Sequence, residues 1–119
     1  MSNAHRHHSI DYIEFVVNDM AAAKSFYASA FGWEFTDYGP GYAGIKGDGD
    51  GKEMGGLTVG ESPGGSPLVV LYSDDLDASL ASAVAAGAEI TKEPFEFPGG
   101  RRFQFVDPSG NELAVWCPT

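Results

Sequence analysis

The side chains best suited to chemistry in this sequence lie in its β-rich runs. Within residues 10–17, alternation places Tyr12, Glu14 and Val16 on one face of a predicted strand. A carboxylate among apolar groups loses hydration and becomes a stronger proton acceptor, so Glu14 is a candidate general base. Two other roles stay open for Glu14: a hydrogen bond to a ligand, or a structural pair with Arg102 or a tyrosine hydroxyl.

Histidine and cysteine, the usual metal ligands and nucleophiles, are scarce. All three histidines, His5, His7 and His8, fall in the first nine residues, which resemble an expression tag or a short solvated tail. The one cysteine, Cys117, cannot form an internal disulfide, and alternation turns it to the face opposite Trp116. We therefore expect neither a metal site in the tail nor a nucleophilic role for Cys117.

Composition excludes several classes of function. The 119 residues, 43% of them hydrophobic, suffice for one domain with a buried core. Seven basic against 17 acidic residues give a net charge of −10, which argues against nucleic acid and anionic membranes as partners. The sequence has no apolar run of the roughly 20 residues that a membrane span needs. It also has no N-terminal signal segment, so we expect a cytoplasmic protein.

A unit that occurs twice predicts the architecture. Residues 10–32 and 68–87 each consist of a β-rich run, an aspartate, a helical run and a glycine. Asp19 precedes Gly32 by thirteen residues, and Asp74 precedes Gly87 by the same number. The repeat predicts an α+β fold of two βαβββ modules, about 10–60 and 67–117, within a single domain 10–119 that follows a tail 1–9. We expect their two curved sheets to face each other across a cleft.

The elements follow from periodicity and from turn residues. A helix beginning at Asn18 or Asp19 should end at Gly32, and a second should span 75–86. Asp107 to Gly110 is typical of a tight turn. The glycine-rich segment 47–56 is interpreted as a hairpin loop that could act as a lid. The predicted strands are 10–17, 33–38, 42–46, 54–59, 68–73, 88–92, 102–106 and 111–117.

Two motifs carry a family resemblance. They are Phe26-Tyr27 followed by Phe31-Gly32-Trp33, and Phe105-Val106-Asp107-Pro108-Ser109-Gly110-Asn111. With them the chain resembles the vicinal-oxygen-chelate superfamily, which contains glyoxalase I, bleomycin-resistance proteins and extradiol dioxygenases. It is most similar to the bacterial group related to lactoylglutathione lyase. The resemblance implies the glyoxalase/bleomycin-resistance fold and a homodimer.

The resemblance also identifies where a metal ion would be held. The metalloenzymes of the superfamily use His or Glu at four inward strand positions, which correspond here to Tyr12, Gly56, Leu68 and Ala114. None of these is a ligand of the expected type for a divalent transition metal. We therefore expect no family-type metal ion and no cofactor.

The same correspondence implies which side chains line the cleft. It predicts a pocket of aromatic and aliphatic surfaces with a few polar groups, as ligand sites usually have. The predicted ligand-binding residues are Tyr12, Glu14, Tyr72, Arg102, Gln104, Glu112 and Trp116.

Two functions are consistent with these residues. The first is a metal-free protein that binds and sequesters a small molecule, with an aromatic or cationic ligand favoured by the aromatic and acidic pocket. The alternative is a lyase or isomerase of the glyoxalase type. It would use Glu14 as general base, or an atypical metal site built from carboxylates such as Glu14 and Glu112.

Overall fold

Two units make up the chain, with the division between residues 67 and 68. A computed structural model describes residues 5–47, 52–61 and 67–119. The first unit begins at residue 12, and residues 5–11 group with the second. Residues 48–51, in the segment interpreted as a lid, lie outside the described residues.

The order strand, helix and three strands, predicted twice, is confirmed. The first module consists of β1 (Ile10–Val17), α1 (Met20–Phe31), β2 (Phe35–Asp37), β3 (Tyr42–Lys46) and β4 (Glu53–Val59). The second consists of β5 (Leu68–Tyr72), α2 (Leu76–Ala85), β6 (Glu89–Phe97), β7 (Gly100–Val106) and β8 (Glu112–Pro118). Neither helix, nor any other part of the described ranges, supplies a helix that could cross a membrane.

In the first module, α1 packs on one face of a sheet ordered β2-β3-β4-β1, in which β1 and β4 are parallel. Asp19 caps the helix by accepting a hydrogen bond from the backbone of Ala22, and Gly32 ends it with φ at 73°. The turn at Gly32 brings Trp33 back onto Tyr27, where the two rings stack with centroids 4.6 Å apart. The ring centroids of Phe15 in β1 and Tyr27 in α1 are 6.2 Å apart, so Phe15 lies on the sheet face that packs against the helix.

In the second module, α2 packs on one face of a sheet ordered β5-β8-β7-β6, in which β5 and β8 are parallel. Leu76, Phe103 and Val115 form its buried core, and Phe103 is fully inaccessible to solvent. Cys117 packs against this cluster. The prediction that alternation turns it away from Trp116 is therefore confirmed.

Strand β6 is longer than the sequence indicated. It continues past Lys92 to Phe97, through Pro94 and several charged residues that are unusual in a strand. Its pairing with β7 shifts register between Ile90 and Lys92 and again between Lys92 and Phe95. The strand lies last in the order of its sheet, where such irregularity is tolerated.

The second predicted helix, 75–86, begins at the residue that caps α2 in the structure. The N-cap is Asp75, whose side chain accepts a hydrogen bond from the backbone of Ala78 at 3.1 Å. Asp74 instead donates its backbone N–H to His7 Nδ1 at 2.9 Å. Helix α2 has 10 residues and α1 has 12, so the second copy of the repeat cannot be aligned with the first by one fixed offset in residue number.

Residues 5–9 make specific hydrogen bonds with the second unit, although Arg6, His7 and His8 are exposed to solvent as expected of a tail. The backbone N–H of His8 donates to the carbonyl of Tyr72, and that of Tyr72 donates to the carbonyl of Ser9. His8 Nε2 lies 2.9 Å from Ser79 Oγ in a further hydrogen bond. The segment therefore pairs with the end of β5, which is far from it in the sequence. Composition alone does not indicate this pairing.

The two aspartates provide a test of the cap. We expect Asp75→Ala to lower the free energy of unfolding by about 1 kcal/mol, because the first turn of α2 loses its acceptor. The matched control, Asp74→Ala, removes an exposed carboxylate and its 3.7 Å contact with His7, and should cost about 0.5 kcal/mol or less. Urea unfolding followed by circular dichroism measures both. Equal losses, or a larger loss at Asp74, would contradict the assignment.

Candidate functional site

The face of the first sheet opposite α1 carries a group of hydroxyl and carboxylate side chains. The register places Glu14 beside Gly56, Gly56 beside Gly44, and Tyr42 beside Thr58. Tyr12 and Glu14 therefore share this face, as alternation predicted. Their roles in binding or catalysis stay predictions.

Tyr12, Glu14 and Tyr42 form a hydrogen-bonded group, named here the tyrosine cluster. Tyr42 Oη donates to Glu14 Oε2 at 3.1 Å, and the hydroxyls of Tyr12 and Tyr42 bond to each other. Of the roles left open for Glu14, a contact with a tyrosine hydroxyl is thus present. Sequence reasoning missed Tyr42, because only the pairing of β3 with β4, and of β4 with β1, brings it near Glu14.

Glycine makes room for the tyrosine cluster. A Cβ at Gly56 would fall 2.7 Å from Tyr12 Oη and closer still to Tyr42 Oη. A Cβ at Gly44 would similarly overlap the carboxylate of Glu53, which accepts a hydrogen bond from Tyr38. The absence of side chains at these two positions lets polar groups from neighbouring strands lie directly over the sheet.

Burial keeps the two cluster hydroxyls neutral. Burial raises the pKa of Tyr12 to about 12, with the nearby Glu53 and Glu14 carboxylates adding to the effect. Burial also raises the pKa of Tyr42, and its hydrogen bond to Tyr12 and the charge of Glu14 raise it further. At neutral pH both side chains are therefore hydrogen-bonding phenols, able to bind an oxygen or nitrogen of a ligand.

The face of the second sheet opposite α2 brings together five predicted ligand-binding residues. The register aligns Tyr72 with Trp116 and Trp116 with Arg102, and it aligns Gln104 with Ala114. Glu112 pairs with Val106, two residues from Gln104. This face therefore carries Tyr72, Arg102, Gln104, Glu112 and Trp116, whose binding role remains a prediction.

Polar and aromatic contacts hold these side chains in place. Glu112 Oε2 accepts hydrogen bonds from Gln104 Nε2 at 3.0 Å and from Thr91 Oγ1 at 2.7 Å. The Arg102 guanidinium carbon lies 5.4 Å from the centre of the Phe95 ring and 5.9 Å from that of Phe97. Both distances are within the range of cation–π attraction. The positive group is thus oriented by aromatic rings on the neighbouring strand.

Sequence reasoning missed a third arrangement, which Asp11, Tyr72 and Trp116 form around His5. The His5 ring stacks on Tyr72 with centroids 4.8 Å apart and meets Trp116 edge-on at 5.4 Å. His5 Nδ1 lies 2.8 Å from Asp11 Oδ1, and Trp116 Nε1 donates to Asp11 Oδ2 at 3.0 Å. Asp11, Tyr72 and Trp116 are named here the His5 pocket.

A family model identifies the superfamily of this chain. The family model described as Glyoxalase/Bleomycin resistance protein/Dioxygenase superfamily matches residues 9–115. The anthracycline biosynthesis protein DnrV of Streptomyces peucetius is 29% identical, and 90% of this chain aligns with 40% of it. The Mycobacterium tuberculosis protein CFP32, whose name provisionally calls it a glyoxylase, is 26% identical, and 89% of this chain aligns with 44% of it.

Among solved structures, the Mn(II)-bound glyoxalase of Novosphingobium aromaticivorans is 30% identical, with a TM-score of 0.71. The alignment covers 94% of this chain and 39% of that one. This chain therefore spans about two fifths of the length of these relatives.

The four positions that correspond to the superfamily's metal ligands do not fit an ion. Gly56 has no side chain, and Leu68 and Ala114 are aliphatic. Tyr12 offers a phenol that stays protonated near neutral pH and is already hydrogen-bonded to Tyr42. Across residues 5–47, 52–61 and 67–119, no three His, Cys, Asp or Glu side chains are grouped as a metal site.

A double-mutant cycle tests the spatial role of Gly56. We expect Gly56→Ala to destabilise the protein, because its Cβ would overlap the Tyr42 hydroxyl. In a Tyr42→Ala background the added cost should fall by about 1 kcal/mol or more, since the nearer of the two obstructing hydroxyls is gone and only that of Tyr12 remains. Urea unfolding of the four proteins measures this coupling.

Gly55→Ala is the matched control for that cycle. Its Cβ would meet the backbone carbonyl oxygen of Ile13, which the Tyr42 substitution does not remove. The cost at Gly55 should therefore be the same in both backgrounds. An equal cost of Gly56→Ala in both backgrounds would show that Tyr42 does not occupy that space.

The raised tyrosine pKa values predict a loss of stability in alkaline solution. As the pH rises above 10, the unfolded chain loses the Tyr12 proton while the folded chain retains it up to about 12. The free energy of unfolding should be constant with respect to this group below pH 10 and fall between pH 10 and about 12. Urea midpoints across that range measure the slope. The double variant Tyr12→Phe/Tyr42→Phe should reduce it, and an unchanged slope would contradict the assignment.

Proposed function

Because this chain belongs to the Glyoxalase/Bleomycin resistance protein/Dioxygenase superfamily, we propose that it is a metal-free protein that binds and sequesters a small molecule. The ligand that best fits the proposal is aromatic and carries a cationic or hydrogen-bond-donating nitrogen. The active form in this proposal is a homodimer, as the resemblance implies.

The observation that carries the proposal is the chemistry at the four metal-ligand positions. Tyr12, Gly56, Leu68 and Ala114 offer one hydrogen-bonded phenol and no imidazole or carboxylate. A divalent transition metal needs several such donors converging on one point. Because these positions do not support a metalloenzyme, we infer that the chain uses the superfamily fold to bind an organic molecule.

The second module supplies groups suited to an aromatic ligand. Tyr72 and Trp116 meet edge-to-face at 5.5 Å, and the stacking of the His5 ring on Tyr72 indicates that a flat ring fits against this pair. Asp11 contributes a carboxylate next to Trp116, and Glu112 adds a second one further along the same sheet face, which favours a cationic group over an anionic one. The protein's net charge of −10 acts in the same direction.

An anthracycline is a suitable first probe. One relative is named for anthracycline biosynthesis, and these compounds combine a planar ring system with an amine, in line with the proposed ligand chemistry. They are also fluorescent, so binding can be followed directly. A match to two fifths of that relative makes this a choice of probe, not an assignment of substrate.

Two measurements on the same protein test the proposal. After dialysis against a chelator and then against buffer containing Mn(II), metal analysis should find well below one ion per chain. Anthracycline titration should show saturable fluorescence quenching, weakened about tenfold in Trp116→Leu and retained in Trp116→Phe, because stacking needs a ring. Stoichiometric, tightly held metal would reject the metal-free proposal. Binding that is indifferent to Trp116→Leu would reject the role of this face.

A second candidate function is a lyase or isomerase reaction with Glu14 as general base. It is favoured by the hydrogen bond from Tyr42 to Glu14, because a neutral phenol can hold a carboxylate ready to accept a proton. The names of two relatives, glyoxalase and glyoxylase, point to the same class. In a glyoxalase assay, wild-type turnover that is lost in Glu14→Gln would favour this candidate, and turnover that persists in Glu14→Gln would exclude it.

A further inference from the structure

We propose that the His5 pocket is a binding subsite for a planar nitrogen heterocycle bearing an N–H group, and that the His5 ring occupies it as an internal substitute for that ligand. The proposal deepens the small-molecule binding proposed above by naming the chemistry of one subsite. It rests on three features of the second unit: the ring contacts, the orientation of Asp11, and the way the N-terminal segment is attached.

Tyr72 and Trp116 border, on two sides, the slot that the His5 ring fills. The planes of His5 and Tyr72 are 9° from parallel, which is full stacking, and the plane of Trp116 stands at 84° to that of His5. Stacking on one side and an edge contact on another are selective for a flat ring. An aliphatic group of similar size would lose both interactions.

Asp11 adds a requirement for a nitrogen that carries hydrogen. Its side chain is only 4% exposed, and Oδ2 accepts the indole N–H of Trp116. Oδ1 then faces His5 Nδ1 at 2.8 Å, and because a carboxylate only accepts hydrogen bonds, this nitrogen must be the donor. The Trp116 bond fixes the carboxylate in the direction that an N–H in the slot requires.

The attachment of the N-terminal segment lets the His5 ring leave without unfolding the unit. Behind His5, the segment is held by His7 Nδ1 on the backbone N–H of Asp74 and by His8 on Ser79. The backbone pairing of His8 and Ser9 with Tyr72 adds two further bonds. None of these contacts involves the His5 side chain, which is 37% exposed.

A tethered ring competes strongly with a free one. Attachment gives the His5 ring an effective concentration of the order of millimolar in its own slot. A ligand that fills the slot must displace it, so the wild-type protein should bind a small heterocycle weakly. Removing the ring should raise the affinity at least about tenfold.

Imidazole and the variant His5→Ala test the proposal. The indole N–H signals of Trp33 and Trp116 can be resolved in a two-dimensional 15N NMR spectrum and assigned with Trp116→Phe. Adding imidazole to His5→Ala should shift the Trp116 signal in a saturable way and leave that of Trp33 in place. In the wild-type protein the same shift should require at least about tenfold more imidazole.

Two matched variants separate occupancy of the slot from a general effect of losing a histidine. His7→Ala keeps the His5 ring and should respond to imidazole as the wild-type protein does. His5→Phe keeps a stacked ring but has no N–H, so it should show no Trp116 response. Adding Asp11→Asn to His5→Ala should weaken imidazole binding at least about tenfold.

The proposal is overturned if folded His5→Ala, judged by dispersed signals at the other positions, shows no saturable Trp116 shift. It is also overturned if His7→Ala gains the same sensitivity as His5→Ala. If His5→Ala does not fold, His5→Gly with imidazole present during refolding gives the decision, since recovery of the Trp116 signal supports the proposal and failure overturns it. These outcomes are independent of metal content and of anthracycline binding, so they are distinct from a failure of the proposed function.

Discussion

Packing of one helix against one face of each four-stranded sheet is the constraint on which the rest of this structure depends. In the second module Leu76 of α2 packs against Phe103 and Val115. Because strand side chains alternate, every second residue of these strands then faces the helix. The pleat sends the remaining residues to the opposite face. In the second module that face carries Tyr72, Trp116 and polar side chains such as Gln104, whereas the helix side holds the apolar core.

This constraint explains why much of the fold and of the candidate face could be predicted. Alternation alone placed Tyr12 with Glu14, and the superfamily resemblance, which the family match confirms, grouped Tyr72 with Trp116. The turn that follows β7 could be predicted because the interactions that form it are local. The side chain of Asn111 and the backbones of Asn111 and Ser109 donate hydrogen bonds to Asp107, which lowers the pKa of Asp107.

What could not be predicted depends on contacts between distant parts of the chain. Tyr42 joins Glu14 only through two strand pairings, and His5 reaches Tyr72 across most of the sequence. The hydrogen bonds of His8 and Ser9 with Tyr72 could not be predicted from composition, because a polar segment that stays exposed can still pair with a particular strand.

The tyrosine cluster suggests how a superfamily scaffold can change its chemistry by few substitutions. The resemblance puts a metal ligand at position 12, where this chain has a phenol, and another at position 56, where it has glycine. The glycine leaves the space into which the hydroxyl of Tyr42 extends. The neutral hydroxyls of the tyrosine cluster therefore make hydrogen bonds at the place where a metal ion and its ligands would attract each other electrostatically.

Strand β6 has a consequence for self-assembly. Pro94 offers no amide hydrogen, and Lys92, Glu93 and Glu96 carry charge along the same strand. Together with its two register shifts, these residues make the border of the sheet a poor template for a foreign chain. Pairing of β6 with strands of other copies, which could build a fibril, is therefore disfavoured even at high protein concentration.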